Sequence, residues 1–158
     1  MRIRIVVASQ ALATFYDVQH VEDKLQITTQ LTDPLARLHD REFKSDRPGR
    51  MFDHGPLAGG RRGATARHGT GGGRESPRKH EAVIFAQKIA NELENAWRAG
   101  SFDRLIVMAE PSFLGVLRRA LPISLKSAVV AEVAKDLAQQ PEDAVRAHLP
   151  PEAFRALV

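Results

Sequence analysis

The run Leu105-Ile106-Val107-Met108-Ala109, followed at once by Glu110-Pro111-Ser112, constrains this chain more than any other stretch. It is too short for a globular helix and is bounded by the charges of Arg104 and Glu110. Such a run suits a central strand buried on both faces of a sheet. Pro111 is well placed as a first helical residue, because its missing N–H is one that a helix start leaves unpaired anyway. Phe113, Leu114, Leu117 and Leu121 then recur at helical spacing. A strand whose C-terminal end opens into a helix is where open α/β sheets usually hold a ligand or reactive group. Glu110 sits at that turn and is the candidate catalytic residue.

The segment before this unit reads as its crossover helix. Ser76 is a fitting N-cap and Pro77 a fitting first residue. Ala82, Ala86, Ile89, Leu93 and Trp97 follow at spacings of four, three, four and four, and Gly100 ends the pattern. A helix over 78–99 leading into a buried strand implies that this strand runs parallel to a neighbour. Upstream, 2–8 and 12–18 read as strands joined by a tight turn at Ser9-Gln10. Lys24 to Leu31 alternates as an outer strand, with Leu25, Ile27 and Thr29 on one face. Downstream, 128–133 reads as a fifth strand, with a helix over 125–137 as the alternative, followed by helical turns over 142–149 and 152–157. The expected fold is α/β: a single domain, 1–158, with a mixed sheet of about five strands flanked by helices.

Residues 33–76 break this order, with no sustained periodicity. Nine of the 11 glycines lie between Gly49 and Gly73. Between Arg37 and Lys79 there are 11 Lys+Arg against 5 Asp+Glu, a net of +6, while the remaining residues sum to −2. The chain's whole basic excess therefore belongs to a Gly-rich insert placed before the main helix. Such composition buries too little apolar surface to offset ordering entropy, so the insert is expected to be flexible. Its length in a small domain argues for function. Its basic charge suits a phosphate backbone, which makes Arg47, Arg50, Arg61, Arg62, Arg67 and Arg74 the candidate nucleic-acid contacts.

Other chemistries fit less well. Gly69 to Gly73 follows no strand and no Gly-Lys-Ser/Thr is present, so dinucleotide and P-loop readings fail. His54, His68 and His80 with Asp53 match no standard metal-ligand spacing, so no metal and no cofactor are expected. Asp17, Asp103, Glu110 and Asp136 would have to gather for two-metal hydrolysis, and edge or capping roles account for them more simply. Ser112 lacks a G-x-S-x-G elbow and is expected to cap its helix. Arg118 and Arg119 are expected to face the C-terminal end of their helix dipole. There is no cysteine, which fits a cytoplasmic protein. The apolar part of MRIRIVVASQ is too short for a signal peptide, and no run approaches a membrane span, so no membrane association is expected.

Several stretches together resemble the bacterial host-attachment protein family, described as required for attachment to host cells. They are IVVAS with its hairpin to ATFYDV, SDRPGR at 45–50, HEAVIFAQKIANEL at 80–93, LIVMAEPSFLGVLRRAL at 105–121 and AEVAKDLAQ at 131–139. The family name implies a role in adhesion to a host. More distantly, the family is similar to the middle domain of archaeal and eukaryotic peptide-chain release factors. There a loop before a long helix carries a Gly-Gly-Gln tip into the ribosomal peptidyl-transferase centre. Gly71, Gly72 and Gly73 stand in the equivalent place, with Gly73 where the glutamine would be. The resemblance thus implies RNA or ribosome contact by the loop over 37–79, and leaves peptidyl-tRNA hydrolysis without its glutamine. An enzyme acting on peptidyl-tRNA or a phosphodiester, and a protein partner in host attachment, stay open as alternatives.

Overall fold

The structure, a computed structural model, describes residues 1–35 and 76–155. Met1–Asp33 together with Ala82–Val158 make one unit, and Pro34–Glu81 a second, described only at 34–35 and 76–81. The first unit carries a five-stranded mixed sheet: β1 (Ile3–Ala8), β2 (Leu12–Val18), β3 (Gln26–Thr32), β4 (Arg104–Ala109) and β5 (Val129–Ala134). Helix α1 is Pro77–Arg98, α2 Pro111–Ala120, α3 Ile123–Lys126 and α4 Glu142–Ala147, and a 3₁₀ turn spans Pro151–Phe154. The strand order is β3-β2-β1-β4-β5. The first three strands form an antiparallel meander. β4 joins β1 in parallel with Ala8 opposite Ala109, and β5 joins β4 in parallel. This is the expected α/β class.

β1 and β4 are buried along their whole length, as their apolar runs require. The alternation of side chains gives the sheet two apolar faces. On one, Val6, Phe15, Leu105 and Val107 pack with Phe85, Ile89 and Leu93 of α1 and Phe113 and Leu117 of α2. On the other, Ile3, Ile5, Val7, Ile106 and Met108 are covered by Leu137, Val145, Leu149 and Ala153 of the C-terminal segment. That segment is tied down far from its own sequence. Leu25 donates its backbone N–H to Glu142 Oε1 at 3.0 Å. Arg146 donates to the carbonyls of Asp23 and Val21, and Arg104 to that of Arg155.

Helix α1 begins as the Ser76-Pro77 pair dictates, with Lys79 N–H donating to Ser76 Oγ at 3.1 Å. It ends at Gly100, whose φ of 75° only glycine adopts without strain. There the N–H groups of Gly100 and Ser101 close on the carbonyls of Trp97 and Ala96, a double C-terminal cap.

Two expectations need correction, and a third an addition. Leu25, Ile27 and Thr29 do not share a face. The register shifts between Phe15 and Tyr16, so Ile27 stands opposite Tyr16 and Thr29 opposite Phe15. An extra residue in one strand inverts its alternation: Thr29 falls on the face of Phe15, while Leu25 and Ile27 stay on the face of Tyr16. Ser112 does not cap α2, because Glu110 occupies the N-cap position and no side chain there makes a capping bond. Arg118 pairs with Glu132 of β5, at 2.6 Å from Nη2 to Oε1, besides facing its own helix end. The carboxylate holds that guanidinium's pKa above its ordinary value.

Candidate functional site

The parallel strands β1, β4 and β5 end together at one edge of the sheet, at Ala8, Ala109 and Ala134. From β1 the chain turns away to β2, and from β4 it crosses the other way to β5. The crevice between Ala8 and Ala109 is thus the topological switch point, the place where ligands bind in open α/β sheets.

Two turns line that edge. Ser9 follows β1 and closes its turn on itself: its N–H donates to the Leu12 carbonyl at 2.8 Å, and its Oγ accepts from Ala11 and Leu12 at 3.2 and 3.3 Å. Glu110 follows β4, half-buried, and its carbonyl accepts the N–H groups of Phe113 and Leu114. Pro111 and Ser112 are exposed beside it. Glu110 therefore stands where the strand-and-helix pattern puts it, a carboxylate at the positive end of α2 and at the switch point.

The sheet unit is built from two stretches of chain. Its chain departs at Asp33, directly after Thr32, which pairs with Leu12. It resumes at Ala82 on α1. Phe85, one turn further on, stacks 6.2 Å from Phe113 at the start of α2, whereas Trp97 lies 5.4 Å from Phe102 at the opposite edge. Arg47, Arg50, Arg61, Arg62, Arg67 and Arg74, and the tip Gly71, Gly72 and Gly73, lie outside the described residues. So do Asp53, His54 and His68.

The four carboxylates do not meet. Asp136 follows β5 at the carboxyl edge with Glu110. Asp17 and Asp103 are at the other edge, roughly 20 Å away along a strand of this length. Asp17 holds Arg4 in a bidentate pair at 2.7 and 2.9 Å. Arg4 is 6% exposed, and its guanidinium lies 5.2 Å over the Phe102 ring. Asp103 takes the backbone N–H of Arg2 at 2.7 Å, and this bond above all holds its carboxyl below the usual carboxylate range. Among the described residues no group of three or more His, Cys, Asp or Glu is placed to hold a metal ion. No helix among them is long and apolar enough to cross a membrane.

A second concavity lies away from this edge, where Tyr16 and Ile27 meet the segment before α4. Sequence patterning passes over it, because its two sides are more than 100 residues apart.

The family model described as "Protein required for attachment to host cells" matches residues 4–149. An uncharacterized protein of Rickettsia prowazekii (strain Madrid E) is 40% identical over 62 residues, which are 38% of this chain and 41% of that protein. The crystal structure of the archaeal translation termination factor aRF1 covers 97% of this chain with a TM-score of 0.45 and 13% identity. The chain spans 36% of that factor's length.

Proposed function

The chain belongs to the family of proteins required for attachment to host cells, and from that premise we propose that it is a cytoplasmic RNA- or ribosome-contacting module whose working part is the basic segment 37–79. The observation that carries this reading is the charge imbalance. That segment has a net charge of +6, while all other residues together sum to −2. A sheet unit close to neutrality joined to a segment of concentrated Lys and Arg suits a polyanionic partner, because each phosphate neutralised releases counterions. Arg47, Arg50, Arg61, Arg62, Arg67 and Arg74 are the contacts of this reading. Gly71, Gly72 and Gly73 would let the backbone approach a nucleotide without side-chain hindrance.

Changing Arg61, Arg62 and Arg67 together to Ala tests the reading. The plot of log affinity for RNA against log salt should become shallower by about 2, with the melting temperature unchanged. Undiminished RNA binding by the triple variant would remove these residues from the interface. Fractionation of the bacterium that places the protein at the outer surface would favour a protein partner at the host boundary instead.

The position of Glu110 at the switch point supports a second reading, hydrolysis of peptidyl-tRNA or a phosphodiester. Glu110→Gln should then abolish turnover while leaving RNA affinity unchanged. Full turnover in that variant would dismiss the residue.

A further inference from the structure

Every strand of the sheet but one carries a charged residue: Arg4 in β1, Asp17 in β2, Arg104 in β4 and Glu132 in β5. The exception is β3, Gln-Ile-Thr-Thr-Gln-Leu-Thr, which also lacks proline. Yet β3 is where a charge would cost least. It ends the strand order, pairs with β2, and has no strand beyond it among the described residues. Most of its side chains are exposed, Ile27 at 58%. Exposed edges are normally blunted by charge or proline, because their open N–H and C=O groups are a template for pairing with another chain. The opposite edge strand, β5, has Glu132, held by Arg118. The device β3 does have is the bulge at Thr28, which the pairing skips and whose hydroxyl donates to the Phe15 carbonyl at 3.2 Å. Beyond it, residues 29–32 pair regularly with 12–15.

An edge without charge can be covered without desolvating one. We infer that the open edge of β3 receives an extended, uncharged peptide segment of a protein partner, which adds to the sheet as a further strand. Its main chain pairs with the outer side of residues 29–32, and its alternate side chains fall on the two faces of the sheet. On the face of Tyr16 they stand beside Ile27 and Gln30, cross-strand neighbours that also line the groove of about 560 Å³. A charged side chain there would meet no opposite charge on β3, whereas an aliphatic one packs on Ile27. The bulge favours a peptide over a second copy of this chain. A second β3 would bring its own bulge to the edge, leaving four regular residues, 29–32, of each strand to pair. A peptide with no fold of its own can follow the strand past Thr28.

Octapeptides selected on the intact chain from a phage-displayed random library, then synthesised with blocked ends, test this by fluorescence polarisation. Saturable binding at or below about 1 mM is expected, from sequences free of proline and rich in β-branched residues. N-methylation separates strand addition from other docking, because an added strand uses the N–H of every second residue. Methylating one alternate set should weaken binding by about tenfold or more, and the other set by less than about threefold. Equal losses in the two sets would overturn the assignment. Ile27→Lys puts a charge on the edge at an exposed position and should weaken binding by about tenfold, with the melting temperature unchanged. Ile27→Thr, uncharged and β-branched, should keep affinity within about threefold. Undiminished binding by Ile27→Lys, or no saturable peptide from the library, would overturn the assignment. So would a dimer of the intact chain that Ile27→Lys dissolves, which would give the edge to a second copy.

Discussion

The sheet unit and the segment 37–79 differ in how their basic residues are balanced by acidic ones. In the sheet unit, arginines hold the fold together. Arg4 is locked to Asp17 and stacked over Phe102, and Arg2 reaches Asp103. Arg118 bridges α2 to β5, while Arg104 and Arg146 fasten the C-terminal segment through backbone carbonyls. In 37–79 the basic residues outnumber the acidic ones 11 to 5, so most have no carboxylate of their own segment to pair with. Charge balanced within a fold serves the fold. Charge concentrated without a local counterpart is the feature on which the proposed RNA contact rests.

If that division holds, changes to the sheet unit cost stability and changes to 37–79 cost binding. The largest effect on stability is expected in the apolar layer under α1. Phe85→Ala empties a site 1% exposed, against Phe113, and should lower unfolding free energy by about 3–5 kcal/mol in chemical denaturation. Next comes Asp17→Ala, which strands the buried Arg4 guanidinium. About 2 kcal/mol is expected, below the loss for a fully enclosed pair because the Asp17 side chain is 34% exposed. A variant at either position that weakened RNA binding while remaining folded would break the comparison.

The smallest effect concerns pH. The folded-state pKa values of Asp103 and Asp23 lie below their ordinary ones, held down chiefly by the backbone N–H groups of Arg2 and His20. Their contribution to stability is present above the unfolded carboxylate value of about 3.9 and is lost as pH falls through the folded values. Asp103→Asn should therefore flatten the acid limb of a plot of melting temperature against pH, and leave the neutral region nearly unchanged. An unaltered acid limb would show that the Arg2–Asp103 contact is idle.

Much of the fold was legible because its elements announce themselves locally. Leu12 to Val18 was bounded as observed, and α1 to within a residue, because Ser76, Pro77 and Gly100 punctuate a regular apolar stripe. The parallel placement of β4 followed from the helix before it. β3 was misread because the bulge that turns Thr29 away from the face of Ile27 is a property of the strand pair and not of either strand. The covering of the second face by Leu137, Val145 and Leu149 was likewise illegible, since contacts such as Arg146 to Asp23 span 123 residues. At the carboxyl edge, sequence located Glu110 correctly through the strand–proline–helix pattern. It singled out Glu110 among the four carboxylates by its place after the central strand, while strand pairing decides which strand ends meet. The groove at Tyr16 needed the fold itself.

The most direct test of the account is the salt dependence of binding to purified ribosomes, measured by co-sedimentation of the intact chain. A net charge of +6 in the segment, at about 0.7 per phosphate on single-stranded RNA, predicts a slope of about −4 in log affinity against log salt. A slope near zero, or no co-sedimentation at low salt, would contradict the claim that the basic segment is the working part of this protein.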